Sequence, residues 1–276
     1  MSVRFDTVVL TGATSGIGEA TALRLAGMAR TLILLGVEPE QEIMSTIERI
    51  RRAGSADIHY VAADFTHLSE VADAARRVRA LAPSIDLLIN DAGVPGAPER
   101  IVTLDGYERT VQVNALAPAL FSRLVVPALA EGARIVNVSS SAHRMEHLDF
   151  QNIDLEQDYS PIAAYARAKL AMVTWSSLLA EEEAATSTTV VTLCPGLNDT
   201  PLSAAMTGGT GGPPSRGAAR VLFAASADVP SGSYLENDSV TAPSSEVLDR
   251  DNRARLAALF AERLAPFARR SIRTGR

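Results

Sequence analysis

Lysine is nearly absent from this chain. Of its 26 basic side chains, 25 are arginines and one is a lysine, Lys169. Cysteine is as scarce. Cys194 stands alone, which excludes an internal disulfide and any centre built from several thiolates, and suits a reducing compartment, the cytoplasm. Four histidines, His59, His67, His143 and His147, are scattered without HExxH spacing, so no metal site is expected. No run of 18 apolar residues occurs, and no membrane span is expected. The opening MSVRFDTVVLTG lacks the charged start, apolar core and cleavage site of a signal peptide, so none is expected. A net charge of −6 excludes a broad nucleic-acid surface.

What is present is a core-forming composition: 47% hydrophobic and 21% charged residues in 276. Apolar runs of strand length, at 7–11, 31–35, 58–62, 85–89, 134–139, 189–194 and 233–236, alternate with helix-like stretches. The latter cover 16–28, 40–53, 68–81, 107–130, 162–184, 215–226 and 245–264. TVVLT and DLLIN show no polar alternation, so both faces of those strands are expected to be buried. The pattern predicts an α/β fold: a parallel sheet with helices on both faces, in one domain spanning 1–276. The Gly/Pro-rich piece TGGTGGPPSRG is expected to be a flexible loop, and 198–217 a lid over a site. From about residue 265 the chain ends in a basic tail, read as solvated.

The lone lysine lies four residues after Tyr165 in AAYARAKLAM, a stretch free of Gly and Pro. Residues four apart share a helix face, so phenol and ammonium would project side by side. A nearby cation favours a phenolate, and an ammonium is a compact point charge unlike the planar guanidinium. The pair is either a tuned site or an ordinary solvated helix face. A second feature, TGATSGIG, follows the first strand and opens the first helix. Its glycines, Gly12, Gly16 and Gly18, suit a tight βα turn, with or without a pyrophosphate at the helix N-terminus.

Together, TG-xxx-G-x-G and Y-xxx-K resemble the short-chain dehydrogenase/reductase family, in pattern nearest its retinol-dehydrogenase-like branch. Further matches follow in order: Asp64 and Phe65 after the third strand, Asn90-Asp91-Ala92-Gly93 after the fourth, and Asn114 in the next helix. Ser140 follows the fifth strand, and Pro195, Gly196 and Thr200 follow the sixth.

The resemblance implies a single doubly wound domain of about seven parallel strands. It implies hydride transfer between a nicotinamide and a carbonyl or secondary alcohol, in a ketone or aldehyde reductase acting on a small apolar or biosynthetic-intermediate substrate. Tyr165 would be the general acid–base, Lys169 would lower its pKa, Ser140 would donate to the substrate oxygen, and Asn114 would hold a relay water. Gly12, Ser15, Gly16, Ile17, Gly18, Gly36, Asp64, Phe65, Asn90, Ala92, Gly93, Tyr165, Lys169, Pro195, Gly196 and Thr200 would hold the cofactor. Two positions depart from the family: Asp91 replaces an Asn, and Gly36 replaces the acid that accepts from the adenosine 2′-OH. With that acid gone NADP(H) is favoured over NAD(H), although Ser15 and Val37 are not basic and Glu38 remains as an acceptor for a ribose hydroxyl. A homodimer or homotetramer paired through the Asn114 and Tyr165 helices is expected by analogy. The alternative reading is a non-redox, cofactor-binding regulator or scaffold on the same fold.

Overall fold

The computed structural model describes residues 4–268. Its eight-stranded sheet runs in the order β3-β2-β1-β4-β5-β6-β7-β8. The strands are β1 (Phe5–Thr11), β2 (Ala29–Gly36), β3 (Asp57–Ala62), β4 (Ile85–Asn90), β5 (Leu129–Val138), β6 (Thr189–Cys194), β7 (Tyr234–Glu236) and β8 (Ser239–Val240). The first seven are parallel, as the sequence implies. The eighth pairs antiparallel with β7 through a two-residue turn. Asn237 and Asp238 both adopt positive φ (52° and 60°), the backbone such hairpins require. The Asn-Asp pair was the signal for this strand, and the sequence reading passed over it.

The helices are α1 (Gly16–Leu25), α2 (Met44–Ala53), α3 (Leu68–Leu81), α4 (Arg109–Val111), α5 (Ala117–Val125), α6 (Pro161–Glu182), α7 (Pro201–Thr207), α8 (Pro214–Ala224), α9 (Ser245–Leu248) and α10 (Arg250–Ala268). Successive strand residues feed opposite cores. Val8 and Leu10 join Leu32 and Leu34 under α1, α2 and α8. Val9 joins Ile33 and Leu88 under α3, α5 and α6. The period of two therefore meets apolar helices on either side, which is why these strands carry no polar face.

Two expected elements differ in detail. The stretch 107–130 is not one helix: a π turn at Gln112–Leu116 separates α4 from α5, and β5 already begins at Leu129. Such turns widen a helix locally and shift its side-chain register, here at Asn114. Within Arg109–Ala128 an 18-residue window has a mean hydropathy of 1.3, enough by length and composition to cross a membrane, yet 83% of that window is buried inside this fold. The second difference is TGGTGGPPSRG. It splits between the end of α7, a short loop and the start of α8, where Pro214 takes a first-turn position that needs no N–H.

The last helix completes the core. Leu256, Phe260 and Leu264, one turn apart, are 0–2% exposed and form the stripe α10 lays on α6, with α3 and α5 alongside. The helices carrying Asn114 and Tyr165 are thereby packed against α10 within the chain. The basic stretch read from about residue 265 also changes. Residues 265–268 are the end of α10, and the remainder lies outside the described residues.

Phe260→Ala removes the largest side chain of the α10 stripe. It is expected to lower stability by ~3–5 kcal/mol, measured as a shift in denaturant midpoint at constant slope.

Candidate active site

The sheet order reverses between β1 and β4, and a cavity of about 680 Å³ opens at the strands' carboxyl ends. Its floor is the glycine turn. Gly12 has φ +71°, and a Cβ there would lie 2.7 Å from Ala92 Cα. At Gly18 a Cβ would meet the Gly12 carbonyl oxygen at 2.0 Å. Only glycine lets the two strand ends and α1 approach this closely. Ser15 caps α1 by position, but its hydroxyl makes no capping bond. The first-turn N–H groups of α1 are therefore left to the cleft, as an anion site requires. This cradle fits a pyrophosphate.

The cavity is lined by Gly12, Ser15, Gly16 and Ile17 from the turn, Gly36 from β2, and Asp64 and Phe65 after β3. Ala92 and Gly93 follow from β4, then Ser140, Tyr165 and Lys169, then Pro195, Gly196 and Thr200 after β6. Gly18 acts one layer down, by steric permission. Asn90, expected to hold cofactor, turns its side chain into the core instead. It donates to Ser122 Oγ (2.9 Å) and Asn137 Oδ1 (2.8 Å). Asn137 donates onward to Ser176 Oγ on α6 (2.8 Å), and Thr192 on β6 donates to the same oxygen. This buried ladder, which sequence spacing does not reveal, joins β4, β5 and β6 to α5 and α6.

Ser160 caps α6, accepting from Ala163 N–H at 3.1 Å, and Pro161 starts the helix. Tyr165 and Lys169 then fall on one face, as predicted. The Lys169 ammonium donates to Val138 O at 3.0 Å and lies 5.6 Å from the centre of the Tyr165 ring. Burial lowers its pKa to about 8, against the opposing charge of Asp91. The Tyr165 phenol behaves contrary to expectation. Burial pushes it up to about 12, and although the Ser140 hydroxyl favours the phenolate, the lysine does not set its value in this geometry. Asp91 is pushed up to about 7 by burial, with Lys169 pulling the other way.

Of the three consecutive serines, Ser140 stands beside the phenol. Ser139 Oγ donates to Lys169 O (3.3 Å), and the Ser141 N–H donates to Cys194 Sγ (3.2 Å). Asn114 sits behind the cleft. Its amide accepts from Val94 N–H (2.8 Å) and donates to Val94 O (2.9 Å), fixing the loop after Gly93. A Cβ on Gly93 would meet Asn114 Oδ1 at 3.0 Å and Lys169 Nζ at 3.7 Å, so this glycine keeps the space between them open. His143 does not line the cavity. It is fully buried, with Nδ1 donating to Ser140 O (2.7 Å) and Nε2 accepting from Ser244 N–H (3.1 Å). It fastens the serine turn to the C-terminal segment.

Thr200 reaches the glycine turn: its methyl is 3.2 Å from a Cβ built on Gly16. Its hydroxyl is spent capping α7, accepting from Ser203 N–H at 3.2 Å. Asn198 anchors this region, a role the sequence reading missed. It donates to Pro195 O (3.0 Å) and Gly196 O (2.8 Å) and accepts from Gly217 N–H (2.9 Å). An Asn two residues after a Pro-Gly turn was the available signal.

Residues 6–209 match the family described as short chain dehydrogenase. The chain is 37% identical over 172 residues to polyprenol dehydrogenase of Mus musculus, covering 59% of this chain and 50% of that protein. It is 35% identical over 202 residues to retinol dehydrogenase 13 of Homo sapiens, covering 71% and 60% respectively. It thus spans about half to three fifths of these relatives' lengths. Among solved structures, an uncharacterized protein from Mycobacterium Paratuberculosis superposes with a TM-score of 0.78 at 28% identity, covering 94% of this chain and 93% of that one. A short chain dehydrogenase from Burkholderia cenocepacia J2315 in complex with NADP superposes with a TM-score of 0.67 at 25% identity, covering 83% and 95%.

Burial holds the His143 pKa below its usual value, so the fold takes the neutral ring. The stability His143 contributes is present above about pH 6.5 and is lost as pH falls through its lowered folded-state value. His143→Phe, which keeps an aromatic ring against Tyr234 but loses both hydrogen bonds, is expected to destabilise by ~1–3 kcal/mol at neutral pH. Thermal melts across acid and neutral pH should show a smaller acid loss in the variant than in the parent.

Proposed function

Because the chain belongs to the short chain dehydrogenase family, we propose that it is a nicotinamide-dependent oxidoreductase working as a ketone or aldehyde reductase. The observation that carries this reading is the convergence of Ser140, Tyr165 and Lys169 on one cleft beside the glycine turn. Burial raises the phenol's pKa, so it holds its proton at neutral pH, the form that can give a proton to a nascent alkoxide.

The first-turn N–H groups of α1, with Gly12 and Gly16, would hold the pyrophosphate, Asp64 and Phe65 the adenine end, and Pro195, Gly196 and Thr200 the nicotinamide end. When bound, the reduced nicotinamide would supply a hydride, two electrons, to the carbonyl carbon. Ser140 Oγ–H donates to the carbonyl oxygen and orients it toward Tyr165. Tyr165 Oη–H passes its proton to that oxygen as the C–H bond forms, leaving an alcohol and a phenolate. The Lys169 ammonium, 5.6 Å from the centre of the Tyr165 ring and with Asn114 behind it, lies on the path by which a proton returns from solvent. Segment 198–217, anchored by Asn198, is the lid.

The substrate half of the cavity is walled by Val94, Met145, Ile162, Leu197, Leu202 and Met206. Met145 and Ile162 are 64% and 53% exposed, so the apolar wall continues outward past the mouth. This supports an apolar carbonyl substrate, in keeping with relatives named for polyprenol and retinol.

The test is a panel of apolar ketones and aldehydes with reduced nicotinamide dinucleotides. Tyr165→Phe is expected to lower kcat by ~10²–10⁴-fold while dinucleotide affinity stays close to the parent's. Since Lys169 loses its charge above about pH 8 and lies on the proton-return path, reduction should hold level through neutral pH and fall beyond that value. No turnover on any substrate with dinucleotide bound would remove this reading in favour of a regulator.

A further inference from the structure

Gly36 ends β2 in the place where the resemblance leads one to expect an acid, and the space beside it is already filled. A Cβ on Gly36 would lie 2.5 Å from Thr14 Cγ2, 2.7 Å from Tyr60 Oη and 3.1 Å from Glu38 Oε2. Three side chains from three segments therefore converge on one Cα. No side chain fits at position 36 while they stay. The missing acid is thus half of a rearrangement whose other half arrives from β3 and from the turn beyond β2.

Tyr60 supplies the fixing bond. Its hydroxyl donates to the Glu38 backbone carbonyl at 2.7 Å. Burial, with the charges of Glu38 and Glu40, raises the phenol's pKa, so it stays a donor at any working pH. With its backbone held, Glu38 folds back over the end of β2 and lines the cavity. Its Oε2 is buried and has no hydrogen-bond partner among the described residues. A buried carboxylate oxygen without a donor, at the edge of a ligand cleft, is completed by a ligand that brings one. Among the described residues, the cations lining the cavity are Arg109 and Lys169, from the α4 and α6 sides. Arg51 and Arg77 share a separate depression with Tyr60 and Glu40.

We propose that Glu38 is the acceptor for the adenosine ribose hydroxyls, that Tyr60 and Gly36 position it, and that the chain selects NAD(H) over NADP(H). A ribose diol brings the O–H donors that Oε2 lacks. A 2′-phosphate brings no donor at neutral pH and sets a dianion against a carboxylate. This reverses the preference drawn from the absence of an acid at position 36, because the charge has moved by two residues and has not been lost. The inference rests on the dinucleotide reading of the cleft and adds the choice between the two cofactors.

The test is binding, read without turnover. NADH and NADPH are titrated separately by nicotinamide fluorescence. AMP and adenosine 2′,5′-bisphosphate compete against NADH to isolate the adenosine end. The parent chain is expected to favour NADH, and AMP over the bisphosphate, by ~10–100-fold, the range a charge-assisted hydrogen bond carries. Glu38→Gln keeps the shape and removes the charge, and is expected to bring both ratios to within ~5-fold by gaining affinity for the phosphorylated ligands. Tyr60→Phe should narrow the ratios with its melting temperature close to the parent's, which a purely structural tyrosine would not do. A parent that binds NADPH as tightly as NADH, or a Glu38→Gln variant with unchanged ratios, overturns the assignment of Glu38. A folded parent that binds neither NADH nor NADPH overturns the dinucleotide reading itself, and this inference with it.

Discussion

Thr11 holds the fold's turning point together. Its Oγ1 accepts from the backbone N–H groups of both Asp91 and Ala92, at 3.1 Å each. β1 and β4 are neighbours in the sheet, and past them the chain departs to opposite sides. One hydroxyl therefore sets how far apart the two departing loops can open. Gly12 and Gly18 permit the approach, and Thr11 keeps it. The cavity is the gap that results, so the turn, the anion cradle and the loop bearing Gly93 all inherit their positions from this contact. Behind it the Asn90 ladder extends the same control to β5, β6 and the helix carrying Tyr165 and Lys169. Each of its members is buried, so each must find a partner, and register errors of one residue would leave several unsatisfied.

Electrostatics in the cleft are governed by burial before they are governed by neighbours. Tyr165, Lys169 and Asp91 all move toward their neutral forms, which is the direction desolvation drives any ionisable group. Asp91, where the family resemblance leads one to expect an amide, and Lys169 lie close enough that each opposes the shift burial imposes on the other.

Much of this was legible in the residues. The strands declared themselves because two buried faces leave no polar alternation, and the glycine turn because close backbone approach admits no other side chain. The Tyr165–Lys169 face followed from helix spacing. What escaped were features written in three dimensions. Asn90 matches a motif, yet its side chain points away from the ligand, and only the positions of Ser122 and Asn137 show why. The ammonium's effect on the phenol was overestimated because a sequence shows proximity and does not show desolvation. At Gly36 the sequence shows an absence. That Tyr60, remote in sequence, fills the gap and turns Glu38 inward is knowable only once β2 and β3 are side by side.

The Ser140 turn is secured through His143 to Ser244, 101 residues further along the chain, and α6 is roofed by α10. The face that bears Tyr165 and Lys169 is therefore finished from behind, by elements that join it only after the whole sheet between them has been laid down. Loosening α9 or α10 would be felt at the cleft although neither helix borders it.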